Sequence, residues 1–313
     1  MVYEATLTHL RPPHRPLVSE IMKEAAKLFV YFAATILIGA LLAPVLFWGG
    51  QWLATQSQFS FLAKFDFELF FHRALLIAAA LLLWPLLRST RVRTMGDLEL
   101  APNQKWARDL LIGFLFAALP LLCCASFLFA LHIFAPRHVI AWQAFPKIIA
   151  TSITVPVIEE AFFRGLLLGL LLRSGRPYIS IFVTSALYSI VHFLKAPEQT
   201  STIVTWTSGF NSIAHSFSQF GDPFLLLASF ATLFFIGWIL ADARLSTRSL
   251  WMPVGLHAGW IFANSVFNKI AHRQMIALPW LGKNLLVGIV PLVIVCLTWA
   301  IMRGWLKHGI RKT

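Results

Sequence analysis

Three ionisable residues stand together in the otherwise apolar stretch "VPVIEEAFFRG", residues 155–165. Glu160 and Arg164 are four residues apart with the acid first, which is the better order for an ion pair along a helix. Glu159 points about 100° away from Glu160 on the same helix. One carboxylate can therefore be held by a guanidinium, while Glu159 is presented to a neighbouring helix as a free general base. Pro156 has no N–H to donate, so we expect it to loosen the helix beside these residues.

Two histidines stand in other apolar stretches of the chain. Tyr188 and His192 are four residues apart and share a helix face, so we expect the phenol to order the imidazole or its water. Pro253 loosens the helical turn before His257. A single histidine in an apolar helix is more often a core residue whose hydrogen bonds are satisfied than a catalytic residue. Together with Glu159 from a third helix, they could activate water against an electrophilic carbon and stabilise the oxyanion.

The composition indicates that a membrane surrounds these residues. Of the 313 residues, 58% are hydrophobic and only 12% are charged, whereas a soluble domain carries about a quarter charged residues. A membrane-spanning helix needs roughly 20 apolar residues. The candidate spans are 28–53, 69–87, 110–136, 148–172, 177–194, 223–241, 249–268 and 284–302. We predict an all-α fold, a polytopic transmembrane helical bundle of about eight spans.

The charge distribution predicts the orientation of the bundle. A net charge of +13 would suggest a nucleic-acid partner for a soluble protein. When the spans alternate from a cytoplasmic N-terminus, however, the inner segments hold 17 Lys and Arg residues and the outer segments hold 7. This bias is the positive-inside rule. It predicts a multi-pass protein of the cell (inner) membrane, with both termini cytoplasmic, the lipid bilayer as partner and no nucleic acid.

Four regions follow along the chain. We predict a cytoplasmic N-terminal segment with an amphipathic helix (1–27), N-terminal transmembrane helices (28–135), a core that carries the chemistry (136–270), and a last transmembrane helix with a basic cytoplasmic tail (271–313). The outer connection 195–222 has no charge between Glu198 and Asp222. It is expected either to lie flat in the outer interface or to fold back as a lid.

The order and spacing of these motifs resemble the CAAX-protease and bacteriocin-processing intramembrane endopeptidases (the CPBP, or Abi, family). The matching residues are Glu159, Glu160 and Arg164, then Tyr188 and His192, then His257. The resemblance covers roughly residues 140–270. It implies that the core is an intramembrane endopeptidase, and that it hydrolyses a peptide bond of a membrane-embedded or lipid-linked protein or peptide.

The same resemblance implies a role for each residue. Glu159 would be the general base that activates water, His192 would assist it, and His257 would help to bind the oxyanion. Glu160 and Arg164 would hold the site. The family is commonly labelled metalloprotease, and Glu159, His192 and His257 could supply a zinc set of two histidines and one carboxylate. A metal-free Glu/His mechanism is slightly preferred, because the Glu160–Arg164 pair organises the base without an ion.

Two positions depart from the family pattern. Tyr188 replaces the usual Phe, and Ile261 replaces the Asn usually found four residues after the second His. Asn264 lies nearly on the same face, about 10 Å further along the axis. The missing Asn favours an alternative, a non-catalytic membrane binding or immunity protein on the same fold. A proton-coupled transporter would also bury such residues, but no matched pair of broken helices indicates inverted repeats.

The predicted orientation can be tested with introduced cysteines after Cys123, Cys124 and Cys296 are replaced. A cysteine at Thr205 should react with an impermeant thiol reagent added outside intact cells. A cysteine at Arg93 should react only after the membrane is permeabilised. Reaction at Arg93 but not at Thr205 would reverse the predicted topology.

Overall fold

Helices make up nearly all of the structure. The computed structural model of the chain describes residues 18–90, 92–193, 203–216, 223–274, 280, 285–286 and 288–310. In these residues the α-helices are α1 (Val18–Ala54), α2 (Phe67–Thr90), α3 (Trp106–Ala130), α4 (Phe145–Glu160), α5 (Gly169–Leu172), α6 (Pro177–Phe193), α7 (Ser208–Ser216), α8 (Pro223–Thr247), α9 (Trp251–Ile270) and α10 (Ile289–Ile310). A 3₁₀-helix spans Ser57–Lys64, and two short strands, β1 (Phe134–Pro136) and β2 (Ala271–Arg273), pair antiparallel. The predicted all-α class is confirmed.

Five helices in the described part of the chain are long and apolar enough to cross a membrane. They contain the segments Ala26–Ala54, Phe67–Thr90, Trp106–Ala130, Leu226–Thr247 and Ile289–His308. Each of the eight predicted spans overlaps a helix, but three do not meet these criteria. α4 is shorter, with 16 residues, and α6 is a short apolar helix. α9 is long enough, with 20 residues, but its His257, Asn264 and Asn268 make it less apolar than the five.

The predicted N-terminal amphipathic helix and the first span form one continuous helix. α1 runs for 37 residues without a break, which is about 55 Å at 1.5 Å per residue. This length exceeds the roughly 30 Å of a hydrocarbon core. Prolines lie inside α1, α2, α3 and α4, as membrane helices tolerate because their neighbours satisfy the freed backbone groups.

α9 is the central helix of the bundle, and its residues 252–260 are all buried. It packs against α3 backbone to backbone. A Cβ atom at Gly113 would lie 2.6 Å from the carbonyl oxygen of Met252, and one at Gly255 would collide with the carbonyl oxygen of Leu110. Helices approach so closely only where a side chain is missing from the contact. The glycines therefore fix the position of α9 in the bundle.

α8 is fixed to α10 by a buried carboxylate. Asp242 is 1% exposed and accepts a 2.6 Å hydrogen bond from Arg303 Nη2. Its other oxygen accepts a 2.8 Å hydrogen bond from Trp299 Nε1. Because both carboxylate oxygens are bonded, the burial of this charge is compensated.

The described part of the connection predicted to lie outside, residues 203–216, contains α7 and folds back against the first two helices. Gly209 contacts the backbone of Ala40 in α1. Ser212 Oγ donates a 2.9 Å hydrogen bond to Glu68 Oε1 in α2. The remainder of the predicted 195–222 connection lies outside the described residues. The part that the structure describes is therefore packed on α1 and α2.

Candidate active site

A buried ion pair forms the innermost part of the site. Glu160, the last residue of α4, accepts a 2.8 Å hydrogen bond at Oε1 from Arg164 Nη1, and both side chains are 0% exposed. The same oxygen accepts a 2.8 Å hydrogen bond from Nδ1 of His257, which is also buried. The ion pair predicted from the i,i+4 spacing is therefore present. The hydrogen bond from His257 to Glu160 also joins α9 to α4, which the spacing did not predict.

Arg164 contacts two further helices. Its Nη2 donates a 3.3 Å hydrogen bond to the carbonyl oxygen of Gly237 in α8. Its guanidinium carbon lies 4.4 Å from the centroid of the Tyr188 ring in α6. An unpaired buried charge costs several kcal/mol. Here the ion pair, a carbonyl dipole and an aromatic face together compensate the buried guanidinium.

The helical hydrogen-bonding pattern changes directly after Glu160. Residues Ala161–Leu168 form a π-helix, after which α5 begins. π turns close i→i+5 hydrogen bonds, are rare, and are frequent at functional sites. The sequence predicted a loosened helix beside Pro156, but Pro156 lies inside regular α4. The irregular segment begins at Ala161 and contains Arg164, so this segment sets the direction of the guanidinium.

Glu159 faces both histidines. Its Oε2 lies 3.8 Å from Nε2 of His192 and 3.8 Å from Nε2 of His257. Among the described residues this buried oxygen has no hydrogen-bond partner. The side chains of Glu159 and His192 are 28% and 30% exposed, whereas Glu160 is fully buried. The site therefore has a closed, ion-paired side and a side that a substrate can reach.

The hydrogen bonds at Nδ1 define which ring nitrogen of each histidine is available. Nδ1 of His192 lies 2.8 Å from the carbonyl oxygen of Tyr188, and a carbonyl can only accept, so Nδ1 carries the proton. Nδ1 of His257 likewise donates to the carboxylate of Glu160. In both neutral rings Nε2 is therefore the acceptor that faces Glu159.

Tyr188 orders His192 in a different way from the predicted one. The hydrogen bond to the imidazole comes from the backbone carbonyl of Tyr188, and the phenol ring packs on the imidazole at 4.3 Å between centroids. The ring also lies 6.2 Å from that of His257. Tyr188 is therefore the surface on which both histidines and the Arg164 guanidinium are packed.

The three facing atoms have the chemical types that zinc binds, and Glu159 Oε2 lies further from each histidine nitrogen than ligand atoms of a zinc site lie from one another. Zinc bonds of about 2.0–2.1 Å put tetrahedral ligand atoms about 3.3 Å apart, and the two distances from Glu159 Oε2 are both 3.8 Å. In the described part of the chain no group of three or more His, Cys, Asp or Glu residues could hold a metal ion. The predicted set of Glu159, His192 and His257 is brought together without forming a zinc cage.

Asn264 does not replace the family Asn that is missing at position 261. Its side-chain oxygen accepts a 3.2 Å hydrogen bond from the backbone N–H of Leu285. It therefore connects α9 to the segment before α10. Ile261, one turn after His257, provides no polar group to the site.

Sequence reasoning missed three contributors to this site, namely Gly237, Arg244 and Glu99. Gly237 offers its backbone carbonyl to Arg164, for which no side-chain pattern exists. Arg244 in α8 donates to the backbone carbonyl of Arg164 and, through Nε, to Glu99 Oε2 at 2.8 Å. A signal for Arg244 was present in the sequence, because an arginine at the end of an apolar helix needs an acidic partner when it is buried.

Residues 141–263 match the protein family described as Type II CAAX prenyl endopeptidase Rce1-like. The matched region contains Glu159, Glu160, Arg164, His192 and His257, and the resemblance to the CAAX-protease family is confirmed. No curated protein and no solved structure matches the chain. Together with the apolar helices, the match supports an integral membrane protein with a CAAX-protease-like core.

Loss of Arg164, the ion-pair partner of Glu160, should destabilise the protein much more than replacement of Glu159. Arg164→Ala leaves Glu160 charged in a closed interior, so the free energy of unfolding should fall by about 3–5 kcal/mol. Glu159→Gln removes no hydrogen bond and should change it by less than about 0.5 kcal/mol. Unfolding in detergent, followed by a thermal or denaturant titration, measures both. Equal losses in the two variants would contradict the assignment of Glu160 as the structural carboxylate.

Proposed function

We propose that this protein, whose residues 141–263 match the CAAX prenyl endopeptidase family, is an intramembrane endopeptidase that uses Glu159 and His192 to activate water. One observation carries the proposal. The carboxylate of Glu159 faces the acceptor nitrogens of two histidines, while the neighbouring carboxylate is neutralised by Arg164. A purely structural ion pair has no use for that second carboxylate.

The distances between these groups fit one water molecule. A separation of 3.8 Å between Glu159 Oε2 and His192 Nε2 is too long for a direct hydrogen bond. A water within hydrogen-bond distance of both atoms can bridge them by donating one proton to each. Its lone pair is then free to attack a substrate carbonyl carbon. Glu159 takes the proton as the oxygen–carbon bond forms, which is general-base catalysis.

His257 is proposed to stabilise the oxyanion of the tetrahedral intermediate. Because Nδ1 donates to Glu160, Nε2 can donate only when the ring carries two protons. The proposed oxyanion role therefore requires the doubly protonated ring of His257. When the intermediate collapses, the carbon–nitrogen bond breaks and protonated Glu159 returns its proton to the leaving amine. The immediate products are a carboxylic acid and a free amine, and the acid then loses its proton to water.

The substrate is proposed to be a membrane-embedded or lipid-linked protein or peptide, with the lipid bilayer as the medium from which it enters. The side chains of Glu159 and His192 are partly exposed, at 28% and 30%, so a substrate can approach this side of the site, while Glu159 Oε2 itself is buried between the histidines. The burial of Glu160 and Arg164 keeps the supporting charges out of reach. In this low-dielectric setting, interactions with developing charge are stronger than they are in water.

A prenylated CAAX peptide is the probe for the general base. Glu159→Gln keeps the shape of the side chain but cannot accept a proton, so its cleavage rate should fall by about 10²–10⁴-fold. The protein should remain folded by the stability measurement above. Comparison of membrane-protein fragments in cells that express either form would identify natural substrates. Full activity of Glu159→Gln would refute the protease mechanism.

Metal dependence is decided by a separate experiment. The proposed mechanism has no metal, so a chelator should leave the rate unchanged, and His257→Ala should lower it by the cost of one oxyanion donor, about 10²–10³-fold. If Glu159, His192 and His257 instead bound zinc, the ion would supply the polarisation of water. Stoichiometric zinc in protein purified without added metal, lost on replacing either histidine, would overturn the metal-free mechanism.

Ile261 favours a second candidate, a non-catalytic membrane binding or immunity protein on the same fold. The position that carries an amide in the family is apolar here, and Asn264 is bonded to Leu285 instead. This candidate predicts that the wild-type protein cleaves no peptide. It also predicts that the Glu159→Gln variant keeps the biological activity of the wild type.

A further inference from the structure

Arg244 is a buried cation that the proposed chemistry does not use. Its side chain is 4% exposed, near the end of α8. Through Nη1 it donates to the backbone carbonyl of Arg164, in the middle of the π-helix. A Cβ atom at Gly169 would lie 3.4 Å from its Nη2, so the guanidinium packs directly against the end of that segment.

The partner of this guanidinium comes from the connection between α2 and α3. Glu99 Oε2 accepts a 2.8 Å hydrogen bond from Arg244 Nε, and its side chain is 38% exposed. The backbone carbonyl of Glu99 accepts a 3.1 Å hydrogen bond from the N–H of Leu250, just before α9. Glu99 has a positive φ of 56°, a conformation that costs a non-glycine residue energy. One residue of the connection therefore contacts both the Arg244 side chain and the start of the helix that carries His257.

The same connection packs on the catalytic motif itself. A Cβ atom at Gly165 would lie 3.2 Å from both Cβ and the carbonyl oxygen of Leu98, so the connection contacts the residue after Arg164 directly. Asp97 orders this turn by accepting hydrogen bonds from the backbone N–H groups of Arg93 and Thr94. These hydrogen bonds hold the pKa of the Asp97 carboxyl below its usual value, and the bond from Arg93 has the largest effect. The connection is thus a defined turn that packs against the site.

We propose that Arg244 is a positioning residue, anchored by Glu99, that holds the π-helix in the register in which Arg164 reaches Glu160. The proposal rests on the function proposed above, because the Glu160–Arg164 pair supports the base and both histidines. A π-helix has a wider turn than an α-helix. The charge-assisted hydrogen bond from Arg244 stabilises the backbone carbonyl of Arg164 in that geometry. Arginine is required, because a planar guanidinium can bond the carbonyl and the carboxylate at once, which a lysine ammonium does poorly.

Hydrogen–deuterium exchange tests the positioning role without any need for activity. In protein reconstituted in lipid nanodiscs, Arg244→Lys should make the amides of residues 161–169 exchange about 10-fold faster or more, as expected for loss of a charge-assisted hydrogen bond. Glu99→Gln, at a half-exposed position, should give a smaller increase in the same amides. It serves as the second variant if replacement of Arg244 prevents folding.

Arg303→Lys is the matched control. Arg303 also pairs with a buried carboxylate, Asp242, and also joins two helices, α8 and α10. Its replacement should leave exchange in residues 161–169 within about twofold of the wild type. Unchanged exchange in Arg244→Lys, or an equal increase in Arg303→Lys, would overturn the positioning role.

Cleavage kinetics then test whether the position of the π-helix affects the rate of peptide hydrolysis. Arg244→Lys should lower kcat by about 10- to 100-fold, as small displacements of a catalytic group do, and leave KM within about twofold, while Arg303→Lys keeps the wild-type kcat. An unchanged kcat in Arg244→Lys would overturn the inference. A wild-type protein without peptidase activity, together with the expected exchange pattern, would refute the proposed function and support the structural role of Arg244.

Discussion

The buried pair of Glu160 and Arg164 is the interaction on which the rest of the site depends. Two opposite charges with no solvent exposure need further polar contacts to compensate their burial. Glu160 Oε1 is bonded to His257, and Arg164 is bonded to a carbonyl of α8 and packed on the ring of Tyr188. Glu160 Oε2 and Arg164 Nε have no hydrogen-bond partner among the described residues. Four segments of the chain are therefore brought to one point because the pair requires them there.

This demand also explains the contacts between helices around the site. His257 reaches Glu160 because glycines bring the backbone of α9 against that of α3. The carbonyl of Gly237 is presented by α8, which is separately joined to α10 through buried Asp242. Packing by small residues and polar contacts is how helices associate in lipid, where there is little hydrophobic force to drive them together. The same contacts that stabilise the bundle thus determine where the reactive groups lie.

Glu159 and Glu160 are adjacent in sequence but differ in environment. The ion-paired carboxylate of Glu160 is closed to solvent and supports His257. The carboxylate of Glu159 is partly exposed and faces two acceptor nitrogens across a gap that one water can bridge. A step of one residue thus separates a structural acid from a reactive one, since neighbouring side chains on a helix point about 100° apart.

The helical class and five of the eight predicted spans were confirmed, because in lipid every backbone group must be bonded within its own segment and apolar length marks a spanning helix. The Glu160–Arg164 pair was predictable too, since both partners lie on one helix and the i,i+4 spacing determines their contact. The resemblance carried by Glu159, His192 and His257 was confirmed at the level of the family.

Contacts between distant segments were decided by the tertiary structure. The sequence has no signal for a backbone carbonyl as partner, so the bonds from Tyr188 to His192 and from Gly237 to Arg164 could not be derived from it. It predicted the irregular turn at Pro156, but the π-helix begins at Ala161. Glu99 and Arg244 lie 145 residues apart, and no local spacing relates them. Spacing along one helix determines which side chains share a face, whereas the meeting of faces from different helices depends on how the whole bundle packs.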